Sequence, residues 1–195
     1  MSTTAFPTAP PFPSSRLVVI GASLGGVSAL KEICSGLPRD FKAPICVVLH
    51  TGDRKSILPD ILSAAGPLPA AHAIDGEALR AGRIYIAPPD HHLRAGVDEV
   101  RLSRGPKEHH SRPAIDPLFR PAAVACKHRA IGVVLTGMLD DGTPGMGAIK
   151  ACGGTTIVQD PTEAKAASMP LSVIRHVDVE PPRVSRRLQL KRMEP

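Results

Sequence analysis

The feature that most restricts how this chain can fold is a set of short, wholly apolar runs separated by segments of helical periodicity. Leu17 to Ile20, Ile45 to Leu49 and Ala130 to Leu135 contain no polar side chain. A strand with one wet face alternates apolar and polar residues, so strands apolar throughout must be covered on both sides. Between them, Val27 to Leu37 places Val27, Leu30, Ile33 and Cys34 on one helical face. Further helices are expected from about Lys55 to Ala65, from Arg112-Pro113 to about His128, and from near Met169-Pro170. Thr143-Pro144 reads as an N-cap followed by proline at the first helical position, with Gly153-Gly154 ending that helix. Ile74 to Ala87 holds two strand candidates, of which Ile84-Tyr85-Ile86 is the clearer. Thr155 to Gln159 and His176 to Val179 are further strands. Apolar–polar alternation between His91 and Leu102 predicts a hairpin turning at Ala95-Gly96. The alternation predicts an α/β domain: a doubly wound, mostly parallel sheet with an antiparallel hairpin.

The chain of 195 residues suits one domain with its own core. Residues 1–16 read as a disordered leader, 17–180 as the folded domain and 181–195 as a basic tail. With one Tyr, four Phe and no Trp, the core must be aliphatic. The net charge of +6 favours acidic partners, although part of the excess lies in the tail, where it is equally well simply solvated. So few aromatic residues argue against a single-stranded nucleic-acid surface, which needs stacking platforms. Cys34, Cys46, Cys126 and Cys152 form no C-x-x-C pair and fall in apolar or helical patterns, as reduced thiols of a cytoplasmic protein do. No apolar run reaches the roughly 18 residues of a membrane span, and the proline-broken N-terminus lacks the basic start of a signal peptide.

In open parallel sheets, sites form beyond the carboxyl ends of the strands. Three polar residues fall there: Ser23 after the first strand, His50 directly after the second, and Asp141 after the Ala130–Leu135 strand. A nucleophile, an imidazole and a carboxylate are thereby expected on one edge. Gly21-x-Ser23-x-Gly25 matches a nucleophile elbow in a strand–turn–helix setting, with the Leu24 N–H available to an oxyanion. Gly21, Ser23 and Gly26 also approximate a phosphate-binding G-x-G-x-x-G loop, and a plain structural turn is the third reading. Serine at the middle glycine, and His50 where a ribose-binding acid would stand, weaken the nucleotide alternative. His50 or Asp141 alone is weak evidence; with Thr143 as the cap, Asp141 is left for another role. The adjacent pairs His91-His92 and His109-His110 do not make a ready metal site, and no third ligand suits Asp140-Asp141. Neither metal nor cofactor is expected.

The segments Val18 to Gly26, Tyr85 to Pro88, Arg112 to Phe119 and Val133 to Gly142, with Gln159-Asp160 and Met169-Pro170 downstream, together resemble the catalytic domain of CheB-type protein-glutamate methylesterases. The resemblance covers roughly residues 17 to 180. It implies hydrolysis of glutamyl methyl esters on chemoreceptor-type proteins, with possible glutamine deamidation, by a triad falling on Ser23, His50 and Asp141. It places Met138 beside the site as a backbone oxyanion donor, with Leu24 as the other. Arg112 either orients the substrate or belongs to a structural ion pair. The implied partners are a methylated receptor or similar acidic helical protein and a receptor methyltransferase. Leu24, Leu49 and Leu139 depart from the family's usual Thr, Gln and Gly. Only sixteen residues precede the first strand, so the N-terminal receiver domain of typical members is not expected. A catalytically weak binding scaffold on the same fold is the second alternative.

Overall fold

Residues 16–51 and 55–179 are described by the computed structural model. The expected leader and basic tail lie outside the described residues. The described chain holds strands β1 (Leu17–Ala22), β2 (Ile45–Leu49), β3 (Ala70–His72), β4 (Ile84–Ile86), β5 (His92–Ala95), β6 (Val100–Ser103), β7 (Ala130–Val134) and β8 (Thr155–Val158). The helices are α1 (Gly26–Gly36), α2 (Leu58–Ala65), α3 (Asp116–Cys126), α4 (Thr143–Ala151) and α5 (Ser168–His176). Six strands form one sheet in the order β3-β4-β2-β1-β7-β8, while β5 and β6 form a separate pair. Every pairing in the large sheet is parallel and the β5–β6 pairing is antiparallel. The expected architecture is therefore the observed one.

Alternate residues of the central strands feed two different cores, which is why these strands carry apolar residues throughout. Val18, Ile20 and Ala22 of β1 join Leu30 and Ile33 of α1 and Leu58 and Leu62 of α2 on one face. Leu17 and Val19 join Leu118 and Phe119 of α3, Met146 and Ile149 of α4 and Val173 of α5 on the other. Leu93, Ala95 and Val100 of the hairpin extend that second core. Each fully buried Leu or Ile contributes about 1.5–3 kcal/mol. Chain order turns back at β1: the path runs outward through β2 on one side and through β7 and β8 on the other. The crevice at this reversal is where a ligand site is expected in such sheets.

Four local expectations are corrected. Thr143 is not the N-cap of α4: Gly142 occupies that position at φ 93°, and the Thr143 hydroxyl donates instead to Ser172 Oγ at 2.9 Å. Glycine suits the left-handed backbone there. His176 ends α5, and no strand forms at 176–179. The helix expected from Arg112-Pro113 begins at Asp116. Of the two strand candidates between Ile74 and Ala87, Ile84–Ile86 forms, but its outer neighbour is the earlier segment Ala70–His72. Ala78 makes only an isolated bridge to Glu99.

Candidate active site

The register of the sheet brings the three polar residues level. Ala22 pairs with Leu49, so Ser23 and His50 are the next residues out on adjacent strands, and the His50 amide donates to Ala22 O at 3.2 Å. Gly21 pairs with Val134 on the other side, and the Ser23 amide donates to Thr136 O at 2.9 Å just beyond β7. His50 Nε2 then meets Asp141 Oδ2 at 2.8 Å, although 91 positions separate them in the chain. The contact with Asp141 leaves the ring's Nδ1 as the other nitrogen of His50. Ser23 and His50 are half-buried, while Asp141 is 1% exposed.

A buried carboxylate stays ionised only if its charge is met by donors. Burial pushes Asp141 up, but this is outweighed by the His50 hydrogen bond, the amides of Ile115 and Asp116, and the attraction of the imidazole. Its carboxyl lies below the ordinary range. The Ile115 N–H donates to Oδ2 at 2.7 Å and the Asp116 N–H to Oδ1 at 3.1 Å. Asp141 thus caps the free amides at the start of α3 from a distant loop while holding His50.

Behind Asp141 lies a second layer that sequence reasoning missed. Asp116, fully buried, accepts from the Gly145 amide at 2.7 Å and meets His109 Nε2 at 3.1 Å. His109 also approaches Asp140 Oδ1 at 3.4 Å through Nδ1 and Asp141 Oδ1 at 3.9 Å through Nε2. Burial disfavours charge on His109, but Asp141, Asp116 and Asp140 together outweigh it and raise its pKa. Asp116 is raised, by burial first and by the Asp141 charge second. Ligand atoms of His109, Asp116 and Asp141 lie within 4.8 Å of one another, a grouping that the adjacent pair Asp140-Asp141 does not signal in the sequence. Each of these atoms already faces a partner within the protein. No spacing rule marks His109, since its role comes from the fold of the segment before α3.

Two backbone N–H groups, those of Leu24 and Met138, directly follow the closely approaching residues Ser23 and Gly137. The amides of Ser23, Gly26 and Gly137 are spent on Thr136 O, Ser23 O and Ala166 O. Among the described residues, the amides of Leu24 and Met138 donate to no protein group. The loop carrying Met138 is braced from both sides. Thr136 Oγ1 donates to Leu24 O and accepts from the Ala166 amide, both at 2.8 Å, and Gln159 Oε1 accepts from the Thr136 amide at 2.7 Å. Gly137 sits so close to Ser23 that an added Cβ would fall 2.9 Å from Ser23 Cβ.

Two further expectations can be placed. All three guanidinium nitrogens of Arg112 are engaged: Nε and one terminal nitrogen donate to Asp90 Oδ1 at 2.8 and 2.6 Å, and the other donates to Arg104 O and Gly105 O. Of the two roles left open for Arg112, the structure supplies the ion pair. The nucleotide-loop alternative meets an obstacle at Gly25, whose bare face lies against Lys165: an added Cβ would be 2.6 Å from Lys165 Cβ.

Comparisons with known proteins bear on the fold and the family. The family model described as CheB methylesterase matches residues 18–187. A protein-glutamate methylesterase/protein-glutamine glutaminase of Anaeromyxobacter dehalogenans is 46% identical over 146 residues, covering 74% of this chain and 43% of the relative. A putative enzyme of the same name from Leptospira interrogans is 39% identical over 165 residues, covering 84% of this chain and 86% of the relative. The crystal structure of the Thermotoga maritima CheB methylesterase catalytic domain superposes with a TM-score of 0.84 at 35% identity, covering 92% of this chain and 97% of that one. Fold, sequence model and relatives converge: this chain belongs to the CheB methylesterase family.

Proposed function

We propose that residues 17–180 hydrolyse glutamate γ-methyl esters on chemoreceptor-type proteins in the cytoplasm, and deamidate glutamines there, through a Ser23–His50–Asp141 triad. The observation that carries this reading is the 2.8 Å contact between His50 Nε2 and a buried, ionised Asp141, on the strand-end neighbour of Ser23. Asp141 fixes the tautomer with the proton on Nε2 and the lone pair on Nδ1, the nitrogen we assign as the base for the Ser23 hydroxyl. Nδ1 takes the Ser23 proton as Oγ attacks the ester carbonyl carbon. The amides of Leu24 and Met138 hold the resulting oxyanion, each contributing about 3 kcal/mol to the transition state. When the tetrahedral intermediate collapses, the ester C–O bond breaks and Nδ1 returns its proton to the departing methoxide, releasing methanol. Water, deprotonated by the same nitrogen, then attacks the acyl-enzyme, frees the glutamate carboxyl and restores the Ser23 hydroxyl. The leaving group is ammonia when the substrate is a glutamine amide.

The test is methanol release from a methyl-esterified receptor, with fluorophosphonate labelling of the nucleophile. Ser23→Ala is expected to lower turnover on the order of 10⁶-fold and to abolish labelling. Unchanged methanol release by this variant would remove Ser23 from the chemistry.

A further inference from the structure

Four large apolar side chains face solvent around the Ser23 edge: Leu24, Val27, Met138 and Leu139, from 37% to 65% exposed. Leu24 follows Ser23 directly, and Val27 lies in the first turn of α1. Met138 and Leu139 occupy the loop whose two ends meet the catalytic groups. At one end Gly137 lies against Ser23, and at the other Asp141 holds His50. Leu139, the midpoint of that loop, is unfavourable twice over. It is 65% exposed, and its backbone sits at φ 65°, where a Cβ is resisted and a glycine would be at ease. Strained, solvent-facing positions of this kind concentrate where a site uses them. Asp140, the next residue along the loop, is exposed.

We infer that Leu139, with Leu24, Val27 and Met138, forms an apolar collar that selects ester-bearing glutamates set among apolar neighbours on the substrate protein. The inference rests on the esterase reading and adds substrate choice to it. The occupant of the collar is the apolar surface surrounding the ester, because the collar is continuous with the catalytic edge and anything bound at Ser23 must cross it. Asp140 works in the same direction by disfavouring acidic flanks, its charge only partly met by His109 at 3.4 Å.

The experiment uses two synthetic peptides of equal charge, each with one glutamate γ-methyl ester, flanked by leucines in one and by serines in the other. The wild-type chain is expected to favour the leucine peptide about tenfold in kcat/KM, or 1.4 kcal/mol. Leu139→Asn keeps a residue tolerant of the left-handed backbone and removes the apolar side chain; it is expected to bring the ratio close to one. Leu139→Met is expected to preserve the ratio. A wild-type ratio near one, or an Asn variant that keeps the preference, overturns the collar. Ser23-dependent cleavage of p-nitrophenyl acetate with neither peptide turned over also overturns it while sparing the nucleophile. Absence of any Ser23-dependent hydrolysis overturns the esterase reading itself.

Discussion

Asp141 Oδ2 receives both the His50 ring N–H and the Ile115 amide, so one carboxylate holds the imidazole and the start of α3 together. Asp141→Asn removes the charge that stabilises the imidazolium, and its NH2 group cannot accept what Oδ2 or Oδ1 now accepts. Turnover is expected to fall about 10⁴-fold by analogy with other triads. Stability is expected to fall by about 1–3 kcal/mol, because a buried donor loses its acceptor. Steady-state kinetics and denaturant titration on the same preparation measure both. The pKa of Asp141 is lowered on folding. Its stabilisation is therefore complete above the unfolded value of about 3.9 and is lost as pH falls through the lower folded value. His109 has the opposite sign. Its pKa is raised on folding, so its contribution is complete below about 6.5 and fades as pH rises through the folded value. His109→Gln is expected to show its largest stability deficit near pH 6, shrinking in alkaline buffer. It is also expected to move the acid limb of kcat/KM to higher pH, because a cation near the His50–Asp141 pair is gone. Thermal melts and pH–rate profiles across that range measure the two effects.

The crossing of α3 and α4 shows how helices reach into the site. An added Cβ at Gly145 would collide with Phe119 and stand 2.8 Å from Asp116 Oδ1. Gly145→Ala is expected to cost about 1–3 kcal/mol by overpacking and to lower turnover as Asp116 shifts. Gly147→Ala, in the same helix, meets nothing nearer than Val177 Cγ2 at 4.0 Å. It is expected to be neutral or stabilising by up to about 1 kcal/mol, since alanine outranks glycine inside a helix. Urea titrations of the pair isolate the packing cost from helix propensity. Elements that bury both faces were legible before any coordinates: β1, β2 and β7 carry no polar side chain, and their ends mark Ser23, His50 and the approach to Asp141. Elements that depend on a neighbour were not. Ala70–His72 is half-buried, with two alanines and no β-branched residue, and becomes a strand only through its pairing to β4. The Thr143-Pro144 signal pointed to the correct helix but to the wrong cap, because the turn at Gly142 needs φ 93°. His109 was hidden for the same reason: nothing in its local sequence indicates that α3 will bring Asp116 to it.

Across the molecule, the proposed triad residues follow the carboxyl ends of β2, β1 and β7, three of the four inner strands, and the outermost strands β3 and β8 lead to none of them. Amide hydrogen exchange is expected to be slowest in those inner strands and faster in three-residue β3, so that the sheet frays at its margin without opening the site. Equal protection in β3 and β1 would contradict this. The brace on the Met138 loop has a consequence in time. Ser23 and His50 leave the ribosome before Asp141, which follows His50 by 91 residues. The Ala166 amide that grips Thr136 and the Met169 amide that donates to Gly137 O come later still. A nascent chain is therefore expected to be inert until translation has passed residue 169, because only then can the loop beside Ser23 be held in place.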